Sequence, residues 1–204
     1  MQDNTALSAA AVIYGERGIA VCPLRLDKDG IAKVPMSDFY PRFHPDGNST
    51  HDWSQADGLG IVLGRPSGLA VIDVDDLGLS EFLLNHLKQR SSPPLMVTTA
   101  RGRLHIYCAE PTPSRPIDLE VRYQHRRCLV QLLAAVCQAA APPTAGYDWV
   151  DVNAQPLYGE VGAAWSSLAK ELGLYYVAAS PYSFLRGERS RGPTTEQLRE
   201  ATRW

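Results

Sequence analysis

No stretch of the 204-residue chain approaches the roughly 20 consecutive apolar residues of a membrane span, which excludes a transmembrane helix within it, and no membrane partner is expected. Cysteine is sparse. Cys22, Cys108, Cys128 and Cys137 stand far apart with no CxxC pair, which excludes a zinc ribbon and a thioredoxin-type site. His125 with Cys128 and Cys137 fits no standard zinc spacing either. The opening MQDNTALSAAAVIYGERG carries an acid and no long apolar run, so no secretory signal is read there and a reducing cytoplasm is the expected compartment. Basic charge is not in excess: 20 Lys and Arg face 22 Asp and Glu, for a net charge of −2. That excludes a histone-like polycation but not a local basic groove. No internal repeat is present, which excludes a solenoid.

What is there is globular: 45% hydrophobic and 21% charged residues, in a chain long enough to bury a core without metal or disulfide staples. Residues 1–185 read as one domain. Residues 186–193 (RGERSRGP) read as a linker, and Thr194 to Gln197 as a capping box opening a helix that is expected to continue into a longer protein.

Helical spacing predicts a first helix over Thr5 to Arg17, with Ala6, Ala10 and Tyr14 recurring beside Ala9 and Ile13. A short buried strand follows from Ile19 to Leu24, stopping near Pro23, and residues 27–58 read as a long irregular polar loop. Gly60 to Gly64 and Leu69 to Asp75 read as a hairpin turning at Arg65 to Gly68. Leu79 to Arg90 is a helix with Leu79, Phe82, Leu83 and Leu87 on one face. Met96 to Thr99 and Leu104 to Cys108 form a second hairpin, Ile117 to Arg122 a further strand, and Leu129 to Leu133 a strand running into an alanine-rich, helix-favouring stretch. Strands interspersed with helices predict a mixed α+β domain, a mixed or antiparallel sheet with flanking helices.

Three places carry chemistry. Asp73-Val74-Asp75 sits at the end of an apolar strand, where residues two apart share a face. Paired carboxylates repel unless a cation lies between them, and hard oxygen donors suit Mg²⁺ or Mn²⁺. The alternative reading is a strand running into an acidic turn at Asp76. His105 faces opposite to Leu104 and Ile106, with Thr99, Arg101, Arg103 and Tyr107 around it and Gly102 at the turn. Such a set can hold phosphate oxygens, and a structural histidine is the alternative. In Ile117 to Arg122, alternation puts Asp118, Glu120 and Arg122 on one face; the bland reading is an amphipathic strand facing water. Residues 101–127 hold six Arg against three acids, a modest basic patch.

Taken in order, Lys33-Val34-Pro35, Trp53, Gly60 to Gly64, Ser67-Gly68-Leu69, Val71 to Asp75, Thr99 to Tyr107 and Glu120-Val121-Arg122 resemble the N-terminal bifunctional primase/polymerase (prim-pol) domain of the archaeo-eukaryotic primase superfamily. The resemblance covers about residues 6–123. It implies an RRM-like primase catalytic core and a DNA-dependent nucleotidyltransferase able to start chains, as found in plasmid, phage and mobile-element replication proteins. It further implies Mg²⁺ or Mn²⁺ held by Asp73, Asp75 and Glu120, with Asp118 as the runner-up for the third acid. His105 would bind the nucleotide phosphates, with Arg101, Arg103, Thr99, Lys33 and Arg122 assisting. The implied partners are single-stranded DNA template, dNTP or NTP, and a helical or helicase region in the same polypeptide. Two departures from the family pattern stand out: Arg103 follows Gly102 where a second Gly is usual, and Cys128 to Ala141 is an uncharged run. A catalytically degenerate nucleic-acid-binding or initiator module on the same fold and a metal-dependent nuclease or phosphohydrolase are the competing readings.

Overall fold

The computed structural model describes residues 4–36, 43–109 and 115–181; the expected linker and capping box after residue 185 lie outside these. Helix α1 (Thr5–Glu16) buries Leu7, Ala11 and Tyr14, while Ile13 is 51% exposed. The buried stripe is therefore rotated by one residue from the expected one, because an alanine-rich helix offers several near-equivalent faces and packing chooses among them.

Strands β1 (Val21–Leu26) and β2 (Ala32–Pro35) form an antiparallel pair. Pro23 lies within β1 instead of ending it: its carbonyl accepts from the Met36 N–H at the end of the β2 ladder, where the missing proline N–H is tolerated. The long polar loop is thus partly built, since it also contains a 3-10 turn, Pro45–Thr50. Buried Asn48 in that turn accepts from the Val21 N–H and donates to the Ala11 and Ile19 carbonyls, pinning α1 to β1.

Strand β3 (Gly58–Val62) is wholly buried and β4 (Leu69–Val74) nearly so. They do not form the expected hairpin. The tight turn between them exists, with the Gly64 N–H on the Leu69 carbonyl at 2.7 Å, but the two strands join different sheets. Helix α2 (Leu77–Lys88) starts at Asp76, whose carboxylate caps the Leu79 N–H, and buries Leu79, Leu83 and Leu87. Phe82 lies at its margin, 5.2 Å from the Tyr123 ring. Then follow β5 (Met96–Thr98), β6 (Leu104–Ala109), β7 (Ile117–Tyr123), β8 (Arg126–Leu133), β9 (Gln138–Ala141), β10 (Asp148–Trp149), β11 (Leu157–Tyr158), α3 (Val161–Glu171) and β12 (Tyr175–Pro181). The alanine-rich stretch expected to favour a helix forms strand β9 instead, antiparallel to β3 with Gly60 opposite Ala140.

A four-stranded sheet, order β2-β1-β3-β9, packs against one face of a larger sheet, order β10-β5-β6-β4-β8-β7-β12 with β11 added parallel to β6. The core between the sheets holds Val71, Tyr107 and Leu133 with Leu59 and Ile61. A second core, under α2 and α3 on the opposite face, holds Ile72, Val74, Ile106, Val130 and Trp165. The class is mixed α+β, with antiparallel sheets flanked by helices. None of the four cysteines forms a disulfide and all are buried: Cys22 and Cys137 between the sheets, Cys108 and Cys128 under the helices. The large sheet therefore separates Cys128 from Cys137, and no metal knuckle can form with His125. No helix among the described residues is long and apolar enough to cross a membrane.

Candidate active site

Alternation along β4 decides what faces the small sheet. Ala70, Ile72 and Val74 point to the helices; Val71 points into the core between the sheets. Two residues on, where that core ends, the same face presents Asp73 and then Asp75. Asp76 is spent on the α2 cap. The three consecutive-seeming acids thus separate into a same-face pair and a capping residue.

Strand β6 places His105 directly opposite Asp73. Its Nε2 lies 3.5 Å from Asp73 Oδ1, and its Nδ1 is buried without a hydrogen-bond partner. Burial pushes the imidazole down to about 4, so the ring is neutral at pH 7. Burial, and then the charge of Asp75, hold the Asp73 carboxyl well above the usual carboxylate range, against the opposing pull of Arg103 and Lys33. Two carboxyls sharing a largely enclosed site behave this way until a cation joins them.

The β5–β6 turn supplies cations. Gly102 takes φ 71°, and the Thr99 hydroxyl accepts from the Arg103 N–H, so Thr99 shapes the turn that displays the arginines. Arg103 Nη1 bonds Asp75 Oδ1. Arg101 reaches across the cleft to Asp29 in the β1–β2 turn, 2.6 Å away. Lys33, on β2, pairs with Asp27 at 2.7 Å. That pairing, followed by the Ile31 N–H, pushes the Asp27 carboxyl down to about 2.

Tyr147 closes the cleft, its ring 6.1 Å from His105 and its hydroxyl pushed up to about 12 by burial and then by Asp73. Asp73, Asp75, His105, Lys33, Arg101 and Arg103 are thereby brought together. Asp27, Asp29 and Tyr147 belong to the same cleft and are not among the site residues expected from the sequence; for Tyr147 the one available signal is that it opens an aromatic Tyr-x-Trp run, Tyr147-Asp148-Trp149.

The third acid is not brought into the pair. Asp118 is in register with Gln131, which donates to it at 2.8 Å and is itself opposite Asp73. Glu120 lies opposite Leu129, whose carbonyl accepts from the Asp75 N–H, and is paired with Arg127 at 3.1 Å. Both acids share the face of Asp73 and Asp75 but stand two strands away, about 10 Å. Among the described residues no three metal-ligating side chains cluster. The donor chemistry still fits a hard divalent ion, which commonly takes one or two carboxylates and completes its shell with water and substrate phosphates. Arg122 is exposed and lies one further step along the sheet from Glu120.

A mixed α+β domain whose sheet-lined cleft sets paired carboxylates among lysine and arginine side chains has the donor and charge chemistry of a nucleotide-handling protein. A family model described as Prim-Pol, bifunctional DNA primase/polymerase, N-terminal, matches residues 11–159. The chain belongs to this family, one of nucleotidyltransferase-type primase/polymerase domains. The match runs through β8 and β9, so the uncharged run from Cys128 to Ala141 is part of the family domain. No curated protein matches the chain.

Proposed function

We propose that the protein is a metal-dependent primase/polymerase domain of a plasmid, phage or mobile-element replication protein, adding nucleotides on a single-stranded DNA template. The observation that supports this most is the convergence of Asp73, Asp75 and His105 with Lys33, Arg101 and Arg103 in one cleft of a Prim-Pol family chain. A bound Mg²⁺ or Mn²⁺ would activate the attacking 3′-hydroxyl and offset charge on the departing pyrophosphate. Asp73 and Asp75 would hold it, with Glu120 the further acid on the same sheet face. His105 offers the triphosphate an uncharged N–H donor, and the three cations balance its charge. A helical or helicase region in the same polypeptide would deliver the template.

The test is incubation with single-stranded template, Mg²⁺ or Mn²⁺ and labelled dNTP or NTP, with and without primer. Extension of primers and formation of new chains is expected. His105→Ala is expected to weaken apparent nucleotide affinity more than template affinity; equal affinity to wild type would remove His105 from the nucleotide site. Hydrolysis of DNA without synthesis would establish the nuclease reading, and template binding without incorporation the non-catalytic one.

A further inference from the structure

The small sheet covers only one end of the large sheet's open face. Along β8 the residues pointing to this face run from buried Leu133 through half-buried Gln131 to Leu129, 37% exposed, and exposed Arg127. The row at the bare end is set by strand register: Arg127 on β8 faces Arg122 on β7, which faces Tyr175 on β12, 73% exposed. Three neighbouring side chains on one face are therefore two arginines and a tyrosine. Like charges directly opposite in a ladder are destabilising. Glu120 offsets Arg127 at 3.1 Å, while Arg122 enters no ion pair among the described residues. A sheet that keeps such a row exposed next to an apolar Leu129 presents charge and stacking surface outward. The adjoining row, Glu120, Leu129 and Asp75, lies two residues along the strands, about 7 Å away, so the platform leads directly to the carboxylate pair.

We infer that the Arg127–Arg122–Tyr175 row is a platform for single-stranded DNA, guanidinium groups taking successive phosphates and Tyr175 stacking a base, so that the strand passes over Leu129 toward Asp75. This rests on the proposed polymerase reading and names where its strand lies. Such a combination of a basic track and an aromatic face is the general solution for binding a single strand without reading its sequence. The chain's own residues 182–204 are a poor occupant, since they carry five Arg against three Glu and bring more positive charge to a positive row.

The test is fluorescence anisotropy of a labelled single-stranded deoxyoligonucleotide with the full chain over a salt series, with labelled dNTP binding measured in parallel. Tyr175→Ala is expected to weaken single-strand binding at least about fivefold, with Tyr175→Phe restoring it. Arg122→Ala is expected to lower the slope of log affinity against log salt by about 0.7, the contribution of one phosphate contact on a single strand. dNTP affinity should be unchanged in Tyr175→Ala and Tyr175→Phe. Single-strand affinity and salt slope equal to wild type in Tyr175→Ala and Arg122→Ala would overturn the platform, including when these variants incorporate nucleotides normally, in which case the polymerase reading stands. Failure of the wild type to incorporate would overturn that reading instead, and the anisotropy series would still decide the row.

Discussion

At the residue scale the consequential fact is that burial and the neighbouring Asp75 push the Asp73 carboxyl upward while Asp75, two residues on, is paired with Arg103. Replacing Asp73 with Asn removes half of a repelling pair at little change in shape. Asp73→Asn should therefore abolish nucleotide incorporation while leaving the melting temperature equal or raised, by roughly 2–4 °C for each ~1 kcal/mol relieved in a chain of this length. A melting temperature well below wild type would show that the carboxyl supports the fold, and incorporation near wild type would remove it from the site. The pair is legible because strand alternation is local and has a period of two, whereas its opposition to His105 depends on β4 pairing with β6, which alternation does not encode. Lys33 enters the site only through the family resemblance: its approach to Asp73 depends on how two sheets pack, and nothing within residues 27–36 encodes that. Gln131, which fills the register position between Asp73 and Asp118, interrupts an apolar strand, and that single polar residue carries no pattern that marks it from the sequence.

At the element scale, α1, α2, β1 and β3 to β8 follow from periodicity, α3 and the strands after Ala141 do not appear in the sequence reading, and the misreadings share one cause. β3 and β4 look like a hairpin because their turn is tight, yet sheet membership is decided by distant partners, β9 for one and β8 for the other. β9 looks helical because alanine favours helices, but that preference is worth well under 1 kcal/mol per residue and yields to pairing and burial beside β3. The small residues there are a packing requirement. A Cβ on Gly58 would come within 2.6 Å of Thr144 Cγ2 and 2.8 Å of the Ala32 Cβ, and the Thr144 hydroxyl bridges the Leu59 N–H and carbonyl. Gly58→Ala should destabilise the protein by about 1–3 kcal/mol, read from denaturant midpoints at unchanged slope.

On the other face, Glu171 at the end of α3 bonds His86 and Arg90 of the α2 region. Those contacts, His86 first, hold its carboxyl below the usual range. A lowered carboxylate pKa contributes stability above the unfolded value of 4.5 that is lost as pH falls through the lowered one. Because the group is largely solvated, Glu171→Gln should cost no more than about 0.5 kcal/mol at pH 7, and the difference from wild type should close on acidification below pH 4.5.

At the scale of the whole molecule, the cleft lies between two layers that are tied at its mouth by the Arg101–Asp29 pair, which joins the β5–β6 turn of the large sheet to the β1–β2 turn of the small one. Ligand-binding layers are generally drawn from the less stable part of a fold. The four buried thiols make this layering measurable. Cys22 and Cys137 are sealed between the sheets, with thiols pushed up to about 12 by burial, and Cys108 and Cys128 are sealed beneath the helices. An alkylating reagent attacks a thiolate it can reach, so at neutral pH each pair is a clock started only by the opening of its own layer. Cys22 and Cys137 should be alkylated ahead of Cys108 and Cys128 in sub-denaturing urea, as followed by peptide mass spectrometry. A bound nucleotide that holds the sheets together should slow the first pair and leave the second on its former schedule.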